Sequence, residues 1–239
     1  MIEFLTSRSA ALLPQKVTGH LGWLRGAIGA ALGIACAGAI TALVLKTGSV
    51  GSGNLAFAWL VAPMGASAVL VFAVPASPLA QPWPLIGGNL LSTAIGLGFG
   101  QYLGSPLLAT SFGVGTAIAV MSLARCLHPP GGACALLCAL GATGSEAWGW
   151  DHMLPIVFNV IVIALAGWLY NNLTGHSWPH KAKLSPAVRT SPDIPSTHEA
   201  LEEVLAEWNE VLDVDVDDLD ALFQALRRRI NLRNSKKAE

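Results

Sequence analysis

The chain has 239 residues, 53% of them hydrophobic and 12% charged, with a formal net charge of −1 and a mean hydropathy of +0.54. A soluble domain carries about 25% charged residues, whereas here Lys46 is the one Asp, Glu, Lys or Arg between Gly26 and Ala124. That segregation excludes a soluble globular protein and a disordered chain, and the charge balance argues against nucleic acid as a partner.

In chain order, residues 1–23 form a polar lead-in with Glu3, Arg8 and Lys16, lacking the apolar core and small-residue cleavage site of a removed signal peptide. A bilayer core about 30 Å thick needs about 20 apolar residues as helix. Spans are expected at Leu24–Leu45, Leu55–Val74, Leu85–Leu103, Pro106–Ala124 and Met153–Leu173. Between the last two, Leu127–Ala142 is apolar but short and opens on His128-Pro129-Pro130-Gly131-Gly132, which reads as a short span or a re-entrant half-helix. Arg8, Lys16 and Arg25 before the first span, and Lys181, Lys183 and Arg189 after the last, place both termini in the cytoplasm. Counting the His128 segment gives six crossings; leaving it out gives five and a different end. The fold class expected is an all-α polytopic transmembrane bundle at residues 24–175, followed by a linker at 176–195 and a cytoplasmic amphipathic tail at 196–239.

Self-similarity is the most informative pattern. At an offset of 67 residues, Pro63-Met64-Gly65-Ala66-Ser67-Ala68-Val69-Leu70 matches Pro130-Gly131-Gly132-Ala133-Cys134-Ala135-Leu136-Leu137. The same offset aligns Ala27–Gly33 with Ala94–Gly100. Each unit pairs a glycine-rich helix with a helix broken at proline, an organisation that places transporter sites where interrupted helices meet. Proline stops one helix and starts another, leaving backbone amides without intrahelical partners. In lipid such amides must find protein partners or line a wet cavity, and a helix start attracts anions. The two breaks are therefore read as a small anion site built from Gly65, Ala66, Ser67, Gly131, Gly132 and Ala133, or else as a pair of kinks filled by neighbouring helices.

At these residues the sequence resembles the HPP family of integral membrane proteins, named for His-Pro-Pro. His128-Pro129-Pro130 with Gly131-Gly132-Ala133 carries the resemblance, as does Gly65-Ala66-Ser67-Ala68-Val69-Leu70 followed by Pro78-Leu79-Ala80-Gln81-Pro82 and Gly87-Gly88. It covers about residues 20–175 and implies a multi-span transporter, with nitrite transport attributed to some members. The family is commonly described with four spans, fewer than hydropathy gives here. This chain has Gly131 where members often carry alanine, and Asn89 where a histidine often follows the paired glycines.

Intramembrane polar residues are costly and functional by default. Arg125 reads as an anion-attracting mouth residue or as an interfacial anchor. His128, biased away from helix by Pro129 and with a reference pKa near 6.5, reads as a proton-coupling group or a structural hydrogen-bonding one. Asn89, Gln101 and Asn159 are expected to face the bundle interior, bonding between helices or lining a solute path. Cys134 is the repeat counterpart of Ser67, and with Cys138 reads as small packing. No catalytic, cofactor or metal-binding constellation emerges, so the protein is expected not to be an enzyme. In the tail, Ser196–Glu199 fits a capping box, and a second helix near Asp217–Arg233 aligns Leu219, Leu222, Phe223, Leu226 and Ile230 on one stripe. The expected function is transport of a small inorganic anion, nitrite-like, across the cell inner membrane, with the bilayer as partner and a homo-oligomer as a further one. The rivals are a small neutral-solute channel and a membrane scaffold or sensor acting through its tail.

Overall fold

Proline and glycine punctuate this chain, and the computed structural model, which describes residues 22–47, 60–181, 201–205 and 214–238, follows them closely. Helix α1 runs Gly22–Thr47. Helix α2 starts at Pro63, is α-helical to Ala68 and continues as a π-turn over Val69–Ala73. A 3-10 turn at Pro78–Ala80 and a π-turn at Pro84–Gly88 lead into α3, Asn89–Leu103, which stops at Gly104 in the left-handed region. Helix α4 is Pro106–Leu123, α5 Pro129–Ala142, α6 Met153–Leu173 and the tail helix α7 Val216–Ala238. Five of these elements, α2, the 3-10 turn, the π-turn before α3, α4 and α5, begin on proline, which needs no donor at a first turn.

The bundle is apolar on the outside. Leu107 is 73% exposed, Leu123 86%, Leu165 61% and Leu173 76%, an arrangement that in water would be an aggregation surface and in lipid is the contact face. Segments Gly22–Val44, Pro106–Leu123 and Trp150–Leu173 are long and apolar enough to cross a membrane, whereas Pro63–Ala73 and Pro129–Ala142 are shorter apolar helices. At about 1.5 Å per residue the two short ones reach about 16 and 21 Å, well under a bilayer core. Of the span expected at Leu55–Val74, residues 55–59 lie outside the described residues, and the helix that is described begins at Pro63, a residue suited to a first helical turn.

Packing is set by glycine pairs that stand at the repeat offset. On α1, a β-carbon at Gly29 or Gly33 would fall 2.7 or 2.6 Å from the Phe72 ring, so the ring of the π-turn lies in the groove these glycines open. On α3, Gly96 and Gly100 receive the backbone of Ala135 and Ala139 from α5. Without a hydrophobic drive between helices in lipid, such close approach supplies the association energy. The sense of pairing differs between the halves. Gly26 faces Ala73, while Thr41 and the Val61 amide share Asn159, so α2 runs back along α1. Gly88, Gly96 and Gly100 meet His128, Ala135 and Ala142 in order, so α5 runs alongside α3 in the same direction. Helix α4 returns the chain between them.

One end of the bundle is tied by polar bonds. Arg25 donates through Nη1 to Asn171 Oδ1 at 2.8 Å and through Nη2 to the Phe72 carbonyl at 2.8 Å. Asn171 Nδ2 donates to the Val71 carbonyl at 2.9 Å. The last carbonyls of the π-turn, orphaned by its ending, thereby gain a cation and an amide. The start of α1 and the end of α6 accordingly lie at the same end, as an even number of crossings requires. Of the tail, α7 is present where the second helix was expected; the capping box at Ser196–Glu199 lies outside the described residues.

Candidate functional site

The two proline-started helices do converge, and what joins them is side chain. Ser67 on α2, Asn89 at the start of α3, His128 at the cap of α5 and Cys134 on α5 are each 0% exposed. Ser67 Oγ lies 3.0 Å from His128 Nε2, and His128 Nδ1 lies 2.8 Å from the Leu79 carbonyl. A carbonyl only accepts, so Nδ1 carries the proton; Nε2 of a neutral ring then accepts from the Ser67 hydroxyl. Asn89 Nδ2 donates to the Leu85 carbonyl at 2.8 Å and to Ser67 Oγ at 3.3 Å. That leaves Asn89 Oδ1 to accept from the Cys134 thiol at 3.2 Å. Every donor in the series points one way, from Cys134 through Asn89 and Ser67 to His128 and Leu79.

Local irregularity positions these groups. The π-turn Pro84–Gly88 ends immediately before Asn89, and the π-turn Val69–Ala73 begins two residues after Ser67. Such turns rotate the helix face by one residue and recur at functional positions. His128 has extended backbone, φ −140° and ψ 107°, as a residue before proline prefers. Arg125 closes α4 with φ 52°, its amide bonded to the Ser122 carbonyl and that of Cys126 to the Met121 carbonyl. This is a Schellman cap in which arginine occupies the left-handed place usually given to glycine, at a cost of about 1–2 kcal/mol. The turn directs residues 126–128 into the bundle.

The expected residues separate into two groups. Ser67, Asn89 and His128 are brought together. Gly131 is buried against the neighbouring helices, a β-carbon there meeting the Gly88 carbonyl at 2.7 Å and Ser92 Oγ at 2.9 Å; the alanine often found at this place in the resembling family has no room here. Gly65, Ala66, Ala133 and Arg125 are exposed and Gly132 is half-buried, none of them bonded into the chain of donors. The expectation of open amides at the two breaks is corrected. The amides of Met64 and Gly65 bond to the Val61 and Ala62 carbonyls, each at 3.0 Å. Pro129 and Pro130 have no amide hydrogen to offer, and that of Gly131 bonds to the His128 carbonyl at 2.8 Å. Tightened first turns and a proline pair consume the donors that a regular helix start leaves over.

Cys134, the repeat counterpart of Ser67 and expected only to pack, bonds to Asn89 as Ser67 does. The Leu79 carbonyl carried no sequence signal, since a backbone acceptor is invisible in side-chain patterns. Ser92, also fully buried and beside Gly131, has a hydroxyl without a hydrogen-bond partner.

Lipid-facing leucines, half-length helices and a sealed polar interior define a polytopic membrane helix bundle. The chain belongs to the HPP family, whose transmembrane-region model matches residues 15–179. It is similar to two transmembrane proteins of Dictyostelium discoideum. One is 35% identical over 117 residues, 47% of this chain and 41% of that protein. The other is 32% identical over 118 residues, 48% of this chain and 38% of that protein. The chain thus spans about two-fifths of the length of these curated relatives. No solved structure matches it.

Proposed function

We propose that the protein moves a small inorganic anion of nitrite type across the membrane, and that the anion enters by breaking the bond between Ser67 and His128. The observation that carries the reading is the fully buried run of oriented donors joining the two half-helices. Polar side chains in the membrane interior are retained at a cost and mark solute or proton paths. With both helix starts already paired internally, an anion has to be held by side chains: the Ser67 hydroxyl, the Asn89 amide and His128. A proton arriving with the anion converts Nε2 from acceptor to donor, which releases Ser67 and gives the anion a cationic partner. Anion and proton then move together, and the bare charge of neither crosses the apolar interior.

One observation favours a second reading. Paired amides at both breaks leave no fixed positive pole, which suits a small neutral solute such as urea. The two readings separate in vesicles containing the purified protein, loaded with nitrite, nitrate or urea under an inward proton gradient. Proton-coupled transport requires nitrite uptake to exceed that of protein-free vesicles by at least roughly tenfold, about 1.4 kcal/mol in barrier, and to accelerate with the gradient. Urea uptake without nitrite uptake would favour the neutral reading, and uptake of neither would leave the scaffold role.

A further inference from the structure

Helix α7 presents an apolar face that the other described residues leave uncovered. Leu222 is 64% exposed, Phe223 43%, Leu226 51% and Ile230 48%, and at 100° per residue they lie on one side of the helix. Arg227 and Arg229, both exposed, fall on the two borders of that stripe, one on each side. Over its length the helix carries Arg227, Arg228, Arg229, Arg233, Lys236 and Lys237 against Asp217, Asp218 and Asp220. Its start is tied close to the bundle: Asp218 Oδ2 lies 2.9 Å from His180 Nε2, and His180 follows the end of α6 at Leu173 by seven residues.

We infer that α7 lies in the plane of the membrane that the bundle spans, with Leu222, Phe223, Leu226 and Ile230 among the acyl chains and Arg227 and Arg229 on anionic lipid headgroups. Three features select lipid over other occupants. The helix begins next to the residues that follow the last apolar helix, Met153–Leu173. Its apolar stripe is edged by basic side chains, whose stems can cover apolar surface while their heads reach phosphate. Its basic excess matches the sign of an anionic leaflet, where each Lys or Arg near the surface contributes about 1 kcal/mol, or roughly fivefold in partitioning.

The test uses the full chain in a Cys36→Ser background, since the other three cysteines are buried. A nitroxide is placed at Phe223→Cys, and the protein is reconstituted in zwitterionic vesicles or in vesicles that also contain anionic lipid. Collisions with oxygen, which concentrates in acyl chains, are compared with those of a water-soluble nickel chelate. In anionic vesicles the label is expected to meet oxygen several-fold more often than nickel. The double substitution Arg227→Glu/Arg229→Glu, or high salt, should cut the inserted population by roughly tenfold or more. A label that meets nickel freely in both lipids overturns the inference. So does one shielded from both reagents irrespective of lipid, which would place a second copy or another protein on the stripe.

Discussion

Gly96→Val is expected to prevent assembly of the bundle, with no monodisperse folded protein recovered in detergent or a loss of about 3–5 kcal/mol where some is recovered. A β-carbon at 96 would press on the carbonyl oxygen and the Cα of Ala135, backbone atoms that no rotamer change can move aside. Overpacking in a core that can relax costs about 1–3 kcal/mol. Here relief requires parting α3 from α5, the most extensively packed helix pair, and moving Cys134 away from Asn89. The matched control is Gly98→Val on the same helix, where a β-carbon meets nothing within 4 Å; its stability should stay within about 0.5 kcal/mol of the parent's. Equal stability of the two variants would show that the glycine seat does not hold the half-helix.

Asn89→Leu should be the most damaging change that keeps volume. Leucine fills the space but removes the donor to Ser67, the donor to the Leu85 carbonyl and the acceptor for Cys134. A buried group left without its partner costs about 1–3 kcal/mol, while hydrogen bonds between membrane helices average only about 0.6 kcal/mol. With three bonds lost at one residue, about 2–4 kcal/mol is expected in detergent unfolding. Cys134→Ala, which removes a weak thiol donor, should cost under about 1 kcal/mol of bonding. The Asn89→Leu/Cys134→Ala double variant should lose less than the sum of the two, because the second change removes the group that the first left unpaired. Strict additivity would deny that the thiol belongs to the chain.

Much of this architecture was legible because lipid imposes simple rules. Helix α6 occupies Met153–Leu173 as hydropathy alone predicts, and α1, α3 and α4 fall within a few residues of expectation. The HPP resemblance drawn from His128-Pro129-Pro130 also holds. The Gly29/Gly33 and Gly96/Gly100 pairs stood at the repeat offset and do the same work in both halves, seating a broken helix. What the pattern could not give was the sense of each pairing, because an offset in sequence carries no direction in space. Nor could it give the state of the amides. A proline announces where a helix starts but says nothing of whether the next two residues tighten onto the preceding carbonyls, as Met64 and Gly65 do. Of the residues expected at the breaks, Ser67, Asn89 and His128 are joined by hydrogen bonds, whereas Gly65, Ala66, Ala133 and Arg125 are exposed and Gly132 is half-buried.

The measurement closest to the heart of this account is the initial rate of nitrite uptake, with and without an inward proton gradient, by vesicles holding either the parent or His128→Ala, each checked for an intact fold by its thermal midpoint. Folded His128→Ala is expected to fall to the rate of protein-free vesicles and no longer to respond to the gradient. A folded variant that takes up nitrite at the parent rate, with the same response to protons, would contradict it.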